Sequence, residues 1–185
     1  RLAHPVADLA DKPLARGAAS AADRPLGVYV HFPWCLRKCP YCDFASFERA
    51  AGAIDSRAYA DAVLRELDLR SARLQGRRVA SIFIGGGTPS LWDPSELGRV
   101  VAALRVLADD DVEVTVECNP TSLDRERAAA YVAQGVNRLS VGVQGLDAGR
   151  LQQLGRLHDA AGALAAVRAA KTTTARVNAD LMYGV

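Results

Sequence analysis

Three cysteines, Cys35, Cys39 and Cys42, stand within eight residues of one another in a CxxxCxxC arrangement. Clustered thiolates are typical ligands of an iron–sulfur cluster, and three of them can hold three irons of a cubane while the fourth iron takes another ligand. Pro33 and Pro40 disfavour a regular helix here, so we expect a loop that wraps around a compact group. The pattern favours a [4Fe–4S] cluster with one open iron.

Two alternatives for these cysteines stay open on the residues alone. A structural zinc site usually takes four protein ligands with paired cysteine spacing, and His31 is the only nearby candidate for the fourth. The cysteines could also be unliganded. Cys118 is remote from the other three, which fits a small buried hydrophobe better than a disulfide framework. The clustering itself indicates a metal site in a reducing cytoplasm.

A glycine run and a carboxylate each follow a predicted strand. Gly85-Gly86-Gly87-Thr88-Pro89 would let a ligand approach the backbone, whose amides could bind a small polar molecule, although such a run is also typical of a plain turn. It does not match the GxxxxGK[ST] phosphate-binding pattern. Glu117, at the end of the next apolar run, could receive the amine or ribose of a ligand, or it could simply face solvent.

Four more polar residues fall in the C-terminal half of the chain. Gln144 follows a predicted strand, and Arg156 and His158 come shortly after it. Asp180 lies within an apolar run, where a carboxylate is costly unless it is paired or faces a ligand. None of these residues is decisive alone, but each is placed where it could join the cysteines at one edge of a sheet.

The elements that must position these residues alternate between strands and helices. Apolar β-rich runs predict strands at 27–32, 79–84, 112–117, 137–143 and 175–182. Helical spacing predicts helices at 56–74, from 93, from 122 to 135, from about 147, and at 159–170. This alternation implies parallel strands joined by right-handed crossovers, in either an open doubly wound sheet or a barrel. In both folds, ligands gather at the carboxyl ends of the strands.

Helix-end signals support two of these elements. Asp93 is placed to cap a helix that Pro94 opens, and Glu96 would complete a capping box. The buried stripe of this helix is expected at Leu97, Val100, Val101, Leu104 and Leu107. Ser122 is expected to cap the next helix, which would end at Gly135 in a left-handed conformation.

Length and charge exclude several classes of protein. The 185 residues are 50% hydrophobic, enough for one sizeable core. With 23 basic and 21 acidic residues the net charge is +2, which gives no electrostatic case for nucleic acid or an anionic membrane as a partner. No apolar run reaches the roughly 18 residues of a transmembrane segment. Residues 1–24 are expected to be a poorly ordered leader.

Longer strings around these motifs resemble a known family. CxxxCxxC, GGGTP and the later Glu, Gln and Asp resemble radical S-adenosylmethionine (SAM) proteins. More specific similarity is to the oxygen-independent coproporphyrinogen III oxidase group, and within it to a haem-chaperone branch. The strings that carry this resemblance, between about residues 26 and 185, are GVYVHFPWCLRKCPYCDF, FIGGGTPSLW, VECNP, GVNRLSVGVQ, LGRLH and NADLMYG.

The resemblance implies a partial (β/α)6 barrel in which SAM chelates the open iron. One electron from the reduced cluster would then cleave the sulfonium, giving methionine and a 5′-deoxyadenosyl radical. Cys35, Cys39 and Cys42 would be the cluster ligands, and Tyr41 would pack near the adenine. By motif position, the remaining SAM contacts would be Tyr29, Gly86, Gly87, Thr88, Glu117, Gln144, Arg156 and Asp180.

One departure separates the two functions in this group. The oxidase carries one more cysteine two residues after the last cluster ligand, where this chain has Phe44. The resemblance therefore implies a haem chaperone that delivers haem to an acceptor protein, with porphyrinogen oxidation as the alternative. An electron donor and a cytoplasmic location are implied in either case. Residues 25–185 are expected to form an incomplete radical SAM core, with about five of its six strands.

Overall fold

The computed structural model describes residues 24–74, 76–174 and 176–184. The expected leader lies outside these residues, except for Arg24. Within the described ranges the strands are β1 (Leu26–Phe32), β2 (Trp34–Cys35), β3 (Phe47–Glu48), β4 (Val79–Gly86), β5 (Ala108–Cys118), β6 (Arg138–Gln144) and β7 (Arg176–Leu181). The α-helices there are α1 (Ser56–Ser71), α2 (Pro94–Arg105), α3 (Arg125–Ala133), α4 (Ala148–Gln153) and α5 (Ala160–Lys171).

Five strands form one parallel sheet in the order β1-β4-β5-β6-β7. Each strand of this sheet therefore lies beside the next one along the chain, and the connections between them carry the helices. A doubly wound sheet would reverse its strand order at a switch point, and within the described residues this sheet does not. The order, together with the parallel pairing, decides between the two expected folds in favour of a partial (β/α) barrel.

The two faces of the sheet differ in chemistry. Residues such as Ile82, Ile84, Val114 and Val116 are buried against the helices, while the alternate residues form a mostly polar face. On helix α2, the expected stripe is buried at Leu97, Val100, Val101 and Leu104, and Leu107 packs against the core beyond the helix end. Because strand side chains alternate between faces, the polar residues near the strand ends share one side of the sheet.

The helix caps partly correct the expectations. Asp93 caps α2 by accepting from the amides of Ser95 and Glu96. The prediction of a capping box is wrong, because the Glu96 carboxylate accepts from Arg99 and the Asp93 amide donates to the Ser56 hydroxyl. Ser122 does not cap α3; its hydroxyl lies 2.6 Å from that of Ser90, and Asp124 is the cap.

Two strands are longer than their apolar runs. Strand β4 continues through Gly86, and β5 begins at Ala108 and includes the exposed aspartates at 109–111. Ala108 pairs with Val79, so β5 begins four residues before the predicted strand at 112–117. Gly135 has φ +92°, as expected for a helix C-terminus. No helix in the described ranges is both long and apolar enough to cross a membrane.

Replacing Asp93 with alanine should lower the free energy of unfolding by about 1 kcal/mol, because two helix amides lose their acceptor. Denaturant unfolding of the full-length protein measures this change. Asp110→Ala is the matched control, since Asp110 is exposed and caps no helix. Equal midpoints for the two variants would contradict the capping role.

Candidate functional site

A cavity of about 380 Å³ lies where the strands end, beside the loop that carries the three clustered cysteines. Its wall includes Gly86 of β4, Glu117 of β5, Gln144 of β6 and Asp180 of β7. All but one of the residues expected at the site line this cavity. They are Cys35, Cys39, Tyr41, Cys42, Gly86, Gly87, Thr88, Glu117, Gln144, Arg156 and Asp180.

The cysteine loop runs from β2 to β3 and is closed by the pairing of these two short strands. Phe47 donates its amide to the carbonyl of Pro33 at 2.8 Å, and Arg49 donates to that of Cys35 at 2.8 Å. This pairing folds the intervening residues into a compact loop rather than a helix, as the prolines predict. Cys39 and Cys42 close a turn within it, through an amide-to-carbonyl bond of 3.0 Å.

The three loop cysteines are free thiols, with Cys35 buried and Cys39 and Cys42 partly exposed. Burial is the largest cause that raises the pKa of the Cys35 thiol, opposed by hydrogen bonds with Thr88 and Ser46. Among the residues that the structure describes, no three His, Cys, Asp or Glu side chains form a group that could hold a single metal ion.

His31 is the candidate fourth ligand of a zinc site, but both of its ring nitrogens lie within hydrogen-bond distance of other protein atoms. Its Nε2 lies 2.7 Å from the carbonyl oxygen of Ala45, and its Nδ1 lies 3.1 Å from the hydroxyl of Tyr29. A histidine that ligates a metal needs one ring nitrogen free for the metal. The arrangement therefore argues against His31 as a zinc ligand.

The glycines at the end of β4 allow close contact between chain segments. A Cβ at Gly86, where φ is +117°, would lie 2.7 Å from the His31 ring, and one at Gly87 would lie 2.6 Å from the carbonyl oxygen of Trp34. The amides here already have acceptors in the protein: that of Gly86 donates to Glu117, that of Gly87 to the Phe32 carbonyl. The run is therefore needed for packing of the cysteine loop against β4, beyond any contact with a ligand.

Gly87→Ala should destabilise the full-length protein by about 1–3 kcal/mol, because the new methyl group meets a backbone carbonyl that cannot rotate away. Gly52→Ala is the matched control, since a Cβ at Gly52 meets nothing within 4 Å. Thermal unfolding of the two variants side by side measures the difference. A melting temperature for Gly87→Ala equal to that of Gly52→Ala would show that this contact imposes no constraint.

Glu117 points into the protein and not into bulk solvent. Its Oε2 accepts the Gly86 amide at 3.1 Å, and the side chain lines the cavity. Burial is the main cause that raises the pKa of Glu117, followed by the lowering effect of the Gly86 bond and the raising effect of nearby Asp180. A partly buried carboxylate with one oxygen already bonded can accept hydrogen bonds from a cationic or hydroxylated ligand.

Asp180 is held by two side chains on the inner face of the sheet. Its Oδ2 lies 2.8 Å from the hydroxyl of Ser140, and its Oδ1 accepts from the Asn178 amide nitrogen at 2.8 Å. That nitrogen also lies 2.8 Å from the Ser140 hydroxyl. The carboxylate in this apolar run is therefore paired, as its position required, and it also lines the cavity.

Arg156 connects the cavity wall to the cysteine loop. Its Nη1 lies 3.5 Å from the sulfur of Cys39 and 3.4 Å from the hydroxyl of Tyr41, and its Nη2 donates to the Gly142 carbonyl at 2.9 Å. Its Nε is buried without a partner. The guanidinium therefore places positive charge beside a cysteine expected to bear a thiolate.

Tyr29 is the expected residue that does not line the cavity. It lies on β1, is 57% exposed, and its ring stacks on Phe83 with centroids 6.2 Å apart. It remains close to the site, because a Cβ at Gly85 would lie 3.0 Å from the Tyr29 ring and 2.8 Å from Glu117 Oε2. Tyr29 and Glu117 therefore flank Gly85 on one face of the sheet.

Several residues of the cavity wall were missed. They are Arg37, Lys38, Phe44, Ser46, Pro89, Cys118, Asn119, Ser140, Gly142 and Met182. For Ser140 and Gly142 a signal exists in the sequence, since they precede Gln144 at a spacing of two and so share its side of β6. Cys118 is the last residue of β5, and the others lie in loops or beyond strand ends, where residue type alone gives no direction.

The residues present fit an iron–sulfur cluster with SAM beside it. Three free thiols open on the cavity, and carboxylate, amide and hydroxyl groups for the polar ligand lie on the strand ends around it. The buried Arg156 Nε without a partner marks one place where a ligand oxygen could be received. Thiolate ligands suit iron–sulfur clusters, and the oxygen and amide groups suit an amino acid and ribose.

Comparison with known proteins places these motifs in one family. The family model described as the radical SAM superfamily matches residues 29–185. The heme chaperone HemW of Haemophilus influenzae is 40% identical over 168 residues, which cover 87% of this chain and 44% of that protein. The bovine radical S-adenosyl methionine domain-containing protein 1, mitochondrial (Bos taurus), is 43% identical over 162 residues, covering 85% of this chain and 36% of that protein.

A solved structure shares the fold. The coproporphyrinogen III oxidase HemN from Escherichia coli, a radical SAM enzyme, superposes with a TM-score of 0.77 at 30% sequence identity. The match covers 88% of this chain and 38% of that one. The chain spans less than half the length of each of these relatives.

Proposed function

This chain belongs to the radical SAM superfamily, in the group that contains HemN and HemW, and on that premise we propose that Cys35, Cys39 and Cys42 hold a [4Fe–4S] cluster. The observation that carries the proposal is that the three thiols line one cavity with the polar groups of four strand ends. When bound, the reduced cluster supplies one electron for cleavage of SAM into methionine and a 5′-deoxyadenosyl radical.

The protein's own residues bind and orient the substrate of that cleavage. Glu117 and Asp180 are proposed to accept hydrogen bonds from the amine and hydroxyl groups of SAM, because both carboxylates line the cavity. Gln144 and Arg156 are proposed to contact its polar groups from β6 and from the loop after α4. The other proposed SAM contacts are Tyr29, Tyr41, Gly86, Gly87 and Thr88.

For the full-length protein we propose a haem chaperone, which binds haem and delivers it to an acceptor protein. Two observations support this choice: the 40% identity to a heme chaperone, and Phe44 in place of an additional cysteine. Phe44 lines the cavity and is 61% exposed, so its side chain stands where a further thiol would have been accessible. A one-electron donor and a reducing cytoplasm complete the proposal, since clustered thiols persist in such a compartment.

The second candidate is an oxygen-independent coproporphyrinogen III oxidase. It is favoured by the superposition on HemN, whose TM-score is 0.77. The two functions differ in what happens to the tetrapyrrole, which the chaperone binds unchanged and the oxidase decarboxylates.

An anaerobic assay of the full-length protein with coproporphyrinogen III, SAM and a reductant separates the two candidates. The chaperone proposal predicts no protoporphyrinogen IX, and stable haem binding in a parallel titration. Formation of protoporphyrinogen IX at turnover rates would overturn it in favour of the oxidase. HemN assayed in parallel serves as the positive control.

A further inference from the structure

The loop between α4 and α5, residues 154–158, bridges the cysteine loop and the end of β6. At Gly155, where φ is +66°, a Cβ would lie 2.8 Å from Cδ of Pro40 in the cysteine loop. The next residue, Arg156, lies 3.5 Å from the Cys39 sulfur and donates to the Gly142 carbonyl of β6 at 2.9 Å. A displacement of this loop would therefore also displace the cysteine loop and the end of β6.

His158 fixes the far end of this loop. It is 8% exposed, and its Nε2 lies 3.0 Å from the carbonyl oxygen of Val143 in β6. Because a carbonyl only accepts, Nε2 must carry the proton of this bond. The Nδ1 atom is buried without a partner, and burial lowers the pKa of His158, both of which fit a neutral ring.

The residue after Val143 has an unfavourable backbone conformation. Gln144 has φ +64°, and in the described chain it is the only residue other than glycine with a positive φ. Left-handed backbone is disfavoured for a side-chain-bearing residue and persists only where its surroundings enforce it. Here the register between β6 and β7 shifts at Gln144, whose carbonyl accepts the Met182 amide at 2.9 Å.

We propose that His158 is a positioning residue for the SAM cavity, which it serves by holding the Val143 carbonyl and so the strained turn that directs Gln144 into the cavity. The inference rests on the proposed function, because it takes the cavity as the SAM site. The Val143 carbonyl also accepts the Gly145 amide at 2.8 Å, so the turn is held at this one oxygen from two sides. His158 itself is absent from the cavity wall and acts through Gln144.

The test compares two substitutions of His158 in the full-length, cluster-loaded protein. His158→Phe fills the space without a donor, while His158→Gln places an amide N–H near the position of Nε2. We expect His158→Phe to weaken SAM binding roughly tenfold, the usual effect of losing one buried hydrogen bond. His158→Gln should stay within about twofold of the wild type, and iron content should be equal in all three proteins.

Asn137→Leu is the matched control for general destabilisation. Asn137 donates to the Val112 carbonyl at 2.9 Å and accepts the Val114 amide at 2.8 Å at the opposite end of the sheet, so its substitution removes at least as much hydrogen bonding as that of His158, away from the cavity. SAM affinity is read from the electron paramagnetic resonance of the reduced cluster during titration, with melting temperatures measured alongside. Should His158→Phe not fold, His158→Asn, whose amide ends short of Val143, takes its place.

Each outcome bears on one proposal. Failure of the wild type to bind SAM would refute the proposed function. If the wild type binds SAM, equal affinity in His158→Phe would overturn the positioning role. Equal weakening by Asn137→Leu, or a His158→Gln variant as weak as His158→Phe, would overturn it as well. Selective weakening with rescue by glutamine would support it.

Discussion

Cys42→Ala should reduce the iron and sulfide retained after anaerobic reconstitution to below about a tenth of the wild-type amount. Two thiolates would remain for a cluster that three are proposed to hold, and cluster binding depends on deprotonated cysteines at fixed spacing. Cys42 is partly exposed at the surface of its loop, so alanine there leaves the hydrophobic core intact. Iron and sulfide analysis of the desalted protein measures the loss.

Cys118→Ala is the control for this experiment. Cys118 also lines the cavity, but it is buried, its sulfur lies 3.5 Å from the Val116 carbonyl, and burial raises the pKa of its thiol. Cys118 lies on β5, outside the cysteine loop, and in the described chain no side-chain hydrogen bonds oppose the rise of its thiol pKa as Thr88 and Ser46 do at Cys35, so this variant should keep its iron. Equal loss of iron from both variants would contradict a three-cysteine site, as would full retention in Cys42→Ala.

Glu117→Gln should weaken SAM binding by roughly ten- to a hundredfold without changing the iron content. The substitution keeps the shape and an oxygen that can accept the Gly86 amide, but it removes the charge. Charge-assisted hydrogen bonds contribute on the order of 1.5–3 kcal/mol, and each 1.4 kcal/mol is about a factor of ten in affinity. Titration of the reconstituted variant with SAM, with iron counted in parallel, measures both quantities.

Stability should move in the opposite direction to binding in this variant. Burial raises the pKa of Glu117 above its unfolded value, so the folded protein favours the protonated form. The contribution of Glu117 to the free energy of unfolding is therefore favourable at a pH below its unfolded pKa, and it is lost as the pH rises through its folded pKa. Glutamine does not ionise, so Glu117→Gln should be at least as stable as the wild type at neutral pH.

In the SAM titration of this variant, unchanged SAM affinity would refute the proposed role of Glu117, and loss of iron would indicate that Glu117 is a cluster ligand instead.

The position of the polar residues at the strand ends was predictable because the geometry of parallel sheets is regular. Apolar runs indicate the strands, and the rule that their carboxyl ends share an edge predicts from the sequence that Glu117, Gln144 and Asp180 lie near the cysteines. The structure gathers all three around one cavity. The sequence left the choice between a doubly wound sheet and a barrel open, since both alternate strands and helices, and only the spatial order of the strands decides it.

The unpredicted features depend on contacts between distant segments. Ser122 looked like a helix cap, but a hydroxyl can bond any nearby group, and Ser90 is the neighbour that the fold supplies. The packing need for Gly87 comes from the Trp34 carbonyl, and the positive φ of Gln144 occurs where the register between β6 and β7 shifts. Local propensity carries no information on such neighbours.

The most direct test of the cluster and its open iron is the electron paramagnetic resonance spectrum of the reduced, reconstituted full-length protein, with and without SAM. A [4Fe–4S] cluster with an open iron should give a spectrum that changes when SAM is added, and iron and sulfide analysis of the same sample should find about four of each per chain. Retention of zinc without sulfide would contradict the proposed cluster, and a cluster whose spectrum SAM leaves unchanged would contradict its open iron.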